Sequence, residues 1–389
     1  MTLFLILLVF VLLVWTWEAI KLRRALRAIP TRIHVNGSRG KSSVTRLIAA
    51  GLREGGIRTV AKTTGSRARY IHPEGEEEPI VRLGSPNICE QVGVLDRARR
   101  EKAEAIVMEC MALRPDLQII TEKHILRSTI GVITNVRADH LDVMGPTTAD
   151  AAIAISSTLP KRGAAVIGPT KHAEILEARA RERGSSFEMA DPRGIPEGAM
   201  RGFAYIEHEE NVATALAVTR RLGIDDATAL RGMYGVTPDP GACTRREFLH
   251  RGRPIEFINI FAANDLESTI TIWNRVGLLP GGGIPSVALL NLRGDRIDRS
   301  LQFAEAVEEA LVADHYVIIG EVRDRIYRRF VRRVPKEKLH ILGKVTAAET
   351  FDRIAEIDPR GARVGGVGNI GGLGHGILVW VERTEGASC

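Results

Sequence analysis

Apolar positions fall into two regimes along the chain. The first is one unbroken run at the N-terminus. Met1 to Trp17 holds no charged side chain, and Ala19 and Ile20 extend the run past Glu18. About 20 residues at 1.5 Å each span roughly 30 Å, the thickness of a hydrocarbon core. Trp15 and Trp17 fall where aromatic side chains meet a membrane interface. The basic residues Lys21, Arg23, Arg24 and Arg27 follow the run rather than precede it, and no small-residue cleavage site closes it. That order reads as a transmembrane anchor over residues 1–20 and a basic linker over 21–30. The N-terminus is expected outside and the remainder in the cytoplasm.

In the second regime, short apolar runs alternate with stretches of helical spacing. Strands are expected at Arg32–Val35, Thr59–Lys62, Ala105–Glu109, Ile130–Asn135, Ala164–Ile167, Ile255–Ile260, Val287–Asn291, Tyr316–Gly320 and Arg363–Val367. Continuous apolar runs suit parallel strands covered on both faces. The alternation predicts two doubly wound α/β units, over 31–242 and 243–389, with a Pro- and Gly-containing hinge at Thr237–Cys243. Glu74–Pro79 reads as a solvated acidic loop and Leu279–Pro285 as a flexible one.

Composition narrows the function. A length of 389 residues suits two domains, and 44% apolar residues suffice for large cores. Only 5% are aromatic, which argues against a stacking platform for single-stranded nucleic acid. The net charge of +7 suits an anionic partner without choosing one. Cys89, Cys110, Cys243 and Cys389 form no C-x-x-C pair, as expected of isolated thiols in a reducing cytosol.

The candidate chemistry starts at Ile33–Leu52, which reads as strand, glycine loop and helix. The loop is Gly37, Ser38, Arg39, Gly40, Lys41, Ser42 and Ser43. Backbone N–H groups at a helix N-terminus hold phosphates, a lysine reaches the β/γ-phosphates, and a hydroxyl ligates Mg²⁺. Glu109 ends one expected strand, in the crevice where α/β sheets bind ligands. Asn135 ends another, followed by Asp139, His140 and Asp142. Taken singly, Glu109 also reads as a paired carboxylate, His140 as a structural histidine, and Asp-His-Leu-Asp as a helix start.

Together, G-x-x-G-K-S, a strand ending in Glu, and T-N-V-x-x-D-H-L-D-x-x-G resemble the Mur ligase superfamily, which joins a carboxylate to an amino acid at the expense of ATP. Further blocks extend the resemblance from Arg32 to the C-terminus. Thr63–Tyr70 resembles the substrate-side loop, and Glu209–Val218 the helix whose asparagine, here Asn211, lies on the adenine side. Phe261–Thr269 and Leu292–Arg299 resemble nucleotide motifs of the C-terminal domain, and Gly365–Gly372 a late glycine turn. With the anchor, "SPNICEQ" and "ECMALRPDLQII", the chain is most similar to the ligase subunits of poly-γ-glutamate synthases (CapB or PgsB type). It departs from the superfamily where a carbamylated lysine is common: Ser156 or Ser157 falls there, leaving a second metal site without its lysine. A junction arginine is absent, and Phe261-Ala262-Ala263-Asn264 stands where the superfamily has a histidine.

The resemblance implies a Mur-ligase-like P-loop ATPase domain and a smaller Rossmann-like α/β domain behind the transmembrane helix. It implies ATP with Mg²⁺, or Mn²⁺ in its stead, and an ADP-forming ligase with Lys41 and His140 catalytic. Metal ligands would be Ser42, Glu109 and His140. Nucleotide contacts would come from residues 37–43, Asn211, Asn264, Asp265, Arg293 and Asp295. Thr64, Arg67, Arg69, Arg114 and Arg137 are candidates for the polyanionic acceptor. Implied partners are glutamate, the growing poly-γ-glutamate chain, the membrane and small membrane subunits. Association of identical chains stays open, and no nucleic acid is expected. Another Mur-like amino-acid ligase and a membrane-tethered NTPase driving polymer transport stay open as alternatives, as does a non-catalytic scaffold.

Overall fold

The computed structural model describes residues 2–64, 68–82, 84–203, 205–238, 243–261, 263 and 266–387. They divide into two compact units, Met1–Asp239 and Pro240–Cys389. Unit 1 carries strands β1 (Thr31–Asn36), β2 (Thr59–Thr63), β3 (Arg69–Ile71), β4 (Glu77–Pro79), β5 (Ala105–Glu109), β6 (Ile130–Ile133), β7 (Ala164–Ile167) and β8 (Ser186–Met189). One sheet joins them in the order β4-β3-β2-β5-β1-β6-β7-β8. The six strands from β2 to β8 in that order are parallel, and β3 and β4 turn back as an antiparallel hairpin. Strand β1 therefore lies mid-sheet between β5 and β6, and the loop after it opens at the carboxyl ends of all three, where doubly wound sheets bind ligands.

Helices α1 (Thr2–Ala28), α2 (Lys41–Glu54), α3 (Glu90–Arg100), α4 (Pro115–Ile120), α5 (Leu141–Met144), α6 (Thr148–Ser156), α7 (Ala173–Glu182), α8 (Glu209–Arg221) and α9 (Asp226–Tyr234) surround this sheet. The pleat of β1 sends Ile33 and Val35 into a core shared with Val44, Leu47 and Ile48 of α2, Val212 and Leu216 of α8, and Met233 of α9. Residues Val44 to Leu52 of α2 are all buried, because the helix is enclosed by the sheet, α8 and α9. His34 and Asn36 point to the opposite face and are buried there.

Unit 2 repeats the plan with strands β9 (Arg245–His250), β10 (Arg253–Asn259), β11 (Ser286–Leu292), β12 (His315–Gly320), β13 (Leu339–Gly343) and β14 (Ala362–Gly368). Their order is β13-β12-β11-β14-β10-β9, with only β9 antiparallel to its neighbour. Its helices are α10 (Leu266–Arg275), α11 (Ile297–Ala306), α12 (Asp324–Arg333), α13 (Ala347–Ile357) and α14 (Leu373–Ala387).

Each of the nine strands expected from the sequence has an observed counterpart, but three local readings need correction. The segment 21–30 is helical as far as Ala28, so α1 runs straight through the expected linker. No glycine or proline interrupts it before Pro30, and Ala25 packs with Val94, Leu95 and Ala98 in a core that Leu22 also touches. Strand β6 stops at Ile133, because Thr134 and Asn135 turn their side chains to the β1–α2 loop. The acidic stretch Glu74–Pro79 is no simple solvated loop: Glu77 and Glu78 lie in β4 and pair with Arg46 and Arg97.

By length and composition, Phe4–Ala28 can cross a membrane, and its most apolar part is unburied.

Candidate active site

The loop from Gly37 to Gly40 is shaped by two left-handed backbone positions. Gly37 has φ 136° and Gly40 has φ 76°. A side chain at either would be strained, and it would also collide. A Cβ on Gly37 would lie 2.1 Å from Thr134 Oγ1, and one on Gly40 2.4 Å from Asn211 Oδ1. The glycines thus let β6 and α8 close onto the loop from two sides.

Polar side chains from four segments fix it further. Asn36 Oδ1 accepts from Gly37 N at 2.8 Å, while its Nδ2 donates to Gln118 Oε1 at 3.0 Å and to Thr158 Oγ1 at 3.2 Å. Asn135 uses both ends on one residue: Oδ1 accepts from Arg39 N, and Nδ2 donates to Arg39 O, each at 3.1 Å. Ser38 Oγ accepts from Arg137 N at 2.9 Å. Asn211 Nδ2 donates to the buried Glu207 at 2.8 Å, which fixes its Oδ1 against Gly40. The loop's backbone is therefore fixed by the protein's own side chains.

Lys41 begins α2 and folds back over the loop, its Nζ donating to Gly37 O at 2.8 Å and Ser38 O at 3.3 Å. One residue on, Ser42 Oγ donates to Glu109 Oε2 at 2.9 Å. Glu109 is 2% exposed, and the same oxygen also accepts from Thr64 N at 2.6 Å. Strands β1, β2 and β5 thus deliver the loop, the backbone N–H of Thr64 and the Glu109 carboxylate to one point. Ser43 is half-buried in the first turn of α2.

His140 is different. It sits in left-handed backbone, φ 50° and ψ 38°, at the start of α5. Its ring Nε2 lies 3.8 Å from Asp139 Oδ1, and Asp139 itself pairs with Arg39 at 3.3 Å. The structure links His140 to the loop through Asp139 and Arg39, but not to Ser42 or Glu109. The hard oxygen donors of Ser42 and Glu109 are of the kind that would hold a divalent ion. Among the described residues, no three His, Cys, Asp or Glu side chains cluster in a way that could enclose a metal alone.

The expected acceptor residues do not converge. Arg137 is at the loop through its backbone, but its guanidinium reaches Glu210 at 3.2 Å. Arg114 is exposed and bound bidentately by Asp116 at 2.7 and 3.1 Å. Arg69 lies in β3, opposite Thr63 and Pro79. Arg67 lies outside the described residues, as do Asn264 and Asp265. In unit 2, Arg293 grips Asp295 at 2.7 and 2.9 Å, which holds that carboxyl below its ordinary range. Both line a cleft of about 480 Å³ at the carboxyl ends of β11 and β12.

Sequence reasoning missed the side chains that hold the loop rather than touch a ligand: Asn36, Gln118, Thr134 and Glu207. Of these, Asn36 and Thr134 carried a signal: Asn36 directly precedes the glycine loop, and Thr134 opens the T-N-V block.

Behind the loop strand, His34 Nδ1 lies 2.9 Å from Glu122 Oε2, both side chains buried. Burial works against charge on the imidazole, but Cys110 and the Glu122 carboxylate outweigh it and raise its pKa to about 9.

Comparison with known proteins agrees with this layout. Residues 35–223 match the model of the Mur ligase middle domain, and residues 245–384 that of the poly-gamma-glutamate synthase CapB C-terminal domain. The PGA synthase CapB of Bacillus subtilis (strain 168) is 38% identical, covering 95% of this chain and 94% of that one. The capsule biosynthesis protein CapB of Bacillus anthracis is also 38% identical, covering 97% and 82%. A solved bifunctional folylpolyglutamate synthase/dihydrofolate synthase with Mn, AMPPNP and L-glutamate bound superposes with a TM-score of 0.63. It covers 94% of this chain and 93% of its own at 15% identity, a likeness of fold.

Proposed function

We infer the reaction from one premise: the chain belongs to the CapB family of poly-γ-glutamate synthases, built on the Mur ligase plan. It is an ATP-dependent amide ligase. In our reading it adds glutamate to a growing γ-linked chain at the cytoplasmic face of a membrane, held there by α1. The observation that carries this reading is the meeting of Lys41, Ser42 and Glu109 at the mouth of a pre-shaped phosphate loop.

A carboxylate is a poor electrophile, so amide formation in water needs activation. A carboxylate oxygen of the acceptor attacks the γ-phosphorus of ATP, the bond to the β–γ bridging oxygen breaks, and ADP leaves. The amine of the incoming glutamate then attacks the acyl carbon, phosphate departs, and the amine's extra proton passes to solvent. Loop N–H groups and Lys41 stabilise charge on the β- and γ-phosphates. For that, Lys41 exchanges the carbonyls of Gly37 and Ser38 for phosphate oxygens. Ser42 and Glu109 are the residues we assign to Mg²⁺, which when bound would neutralise phosphate charge, and His140 joins them by its motif position alone. Asn211 is assigned to the adenine side of the loop. Arg293 and Asp295 are assigned to the nucleotide by their motif, and Thr64 to the acceptor.

Localisation follows from charge and length. A polyanion does not cross a bilayer unaided, so synthesis beside a membrane exit, with small membrane subunits as partners, suits an anchored enzyme. The test is ADP release by full-length protein, in its native membrane, against each common amino acid. Glutamate alone should accelerate it, with γ-linked polymer as product. Acceleration by another amino acid and none by glutamate overturns the assignment of substrate.

A further inference from the structure

The far end of the loop helix lines a second chamber. A cavity of about 290 Å³ lies between α2, the β3–β4 hairpin and the segment following α9. Arg46 and Arg53 of α2 form its basic wall, and Glu54, Glu74 and Glu77 are its acidic lining residues. The side chain of Arg46 is 2% exposed. It ion-pairs with Glu77 and donates to Thr237 O at 3.4 Å, yet its buried Nε has no partner. The buried Nη1 of Arg53 has none either.

The carboxylates do not supply what is missing. Glu54 pairs with Arg231 at 3.3 Å, Glu74 with Arg58 at 2.9 Å, and Glu77 with Arg46. Arg53 has no ion pair among the described residues. Burial draws its pKa down to about 10, only partly offset by Glu77 and worsened by Arg46. Two buried guanidinium N–H groups without acceptors thus belong to the two residues of the cavity's basic wall, and an anionic group in the cavity offers those guanidiniums further acceptors.

We propose that this cavity binds a small anion bearing a carboxylate or phosphate group, received by Arg53 and Arg46. The planar fork of a guanidinium suits either group. The site is distinct from the phosphate loop: Arg46 and Arg53 follow Lys41 by about 7.5 and 18 Å along the helix axis. An occupant braces α2 against the hairpin and against Thr237, just ahead of the division between the units at Asp239 and Pro240. This inference is independent of the ligase reading.

The test is calorimetric titration of the full chain in detergent. The phosphate loop is first saturated with a non-hydrolysable ATP analogue and Mg²⁺. Inorganic phosphate and glutarate are then titrated separately, with sodium chloride at equal ionic strength as control. One of the two should bind saturably at one site per chain. Arg53→Gln should weaken it at least tenfold while leaving analogue affinity within twofold, and Arg46→Lys should also weaken it. Binding by phosphate or by glutarate identifies the class. If Arg53→Gln fails to fold, Arg53→Lys serves, with a smaller loss expected. No saturable binding of either anion, or binding unchanged in both Arg53 and Arg46 variants, overturns the proposal.

Discussion

Ser42 Oγ and Glu109 Oε2 lie 2.9 Å apart, although 67 residues separate them in sequence. The pairing follows from topology: α2 starts from β1, and β5 runs beside β1 in parallel register, Val35 opposite Glu109. The buried carboxylate thus reaches the first turn of the loop helix from the neighbouring strand.

That pair sets the first prediction. Glu109→Gln keeps an oxygen for Ser42 and Thr64 but removes the charge. Ligase turnover should fall roughly 100-fold or more, the scale of losing one electrostatic stabiliser. The melting temperature should move little, and excess Mg²⁺ should restore part of the rate. Turnover near that of the parent at limiting Mg²⁺ would remove Glu109 from the metal site.

Gly40 tests the loop's shape. Alanine there must adopt φ 76° and place a Cβ 2.4 Å from Asn211 Oδ1. The left-handed conformation alone costs an alanine about 1–2 kcal/mol. Gly40→Ala should therefore weaken ATP-analogue binding by about tenfold or more, measured by calorimetry. Affinity equal to the parent's would mean that the loop does not need this conformation to bind.

The first unit should lose stability in mild alkali. His34 holds its proton more tightly folded than unfolded, since its pKa rises from 6.5 to about 9. Its contribution is therefore full below pH 6.5 and lost as pH climbs through about 9, a change of about 3 kcal/mol. Urea midpoints of the parent and His34→Gln, compared between pH 6 and pH 10, should converge as pH rises. A constant difference across that range would contradict the charged His34–Glu122 pair.

The helical continuation of α1 carries a prediction about truncation. A chain starting at Lys21 keeps Leu22, Ala25 and Ile29 against α3, whereas one starting at Ile29 loses the first two. Both should leave the membrane fraction. The shorter should melt roughly 5 °C lower, as about 2 kcal/mol of lost burial implies for a chain of this size. Equal melting temperatures would mean that Leu22 and Ala25 add nothing to the core.

The sequence revealed what depends on local pattern. Strands β5 and β7 read as apolar runs because both their faces are buried, and the glycine–lysine–serine spacing marked the loop. The β3–β4 hairpin escaped notice because each strand is only three residues long and β4 opens with two glutamates. Glu77 and Glu78 are satisfied by Arg46 and Arg97, 31 and 19 residues away, which no local pattern reveals. The same holds for Glu207, whose importance rests on where Asn211 meets Gly40. His140 was legible as a motif position, but its ring's neighbours depend on a short helix that no periodicity fixes.

The central claim is that an acyl phosphate forms under the control of Lys41. The direct measurement uses the full chain in a membrane preparation with ATP, Mg²⁺, a glutamate acceptor and hydroxylamine. ADP and a glutamyl hydroxamate should appear together, in equal amounts, and Lys41→Ala should abolish both. AMP as product, or ATP hydrolysis at any glutamate concentration with neither hydroxamate nor amide, would contradict the mechanism and favour an ATPase that drives transport.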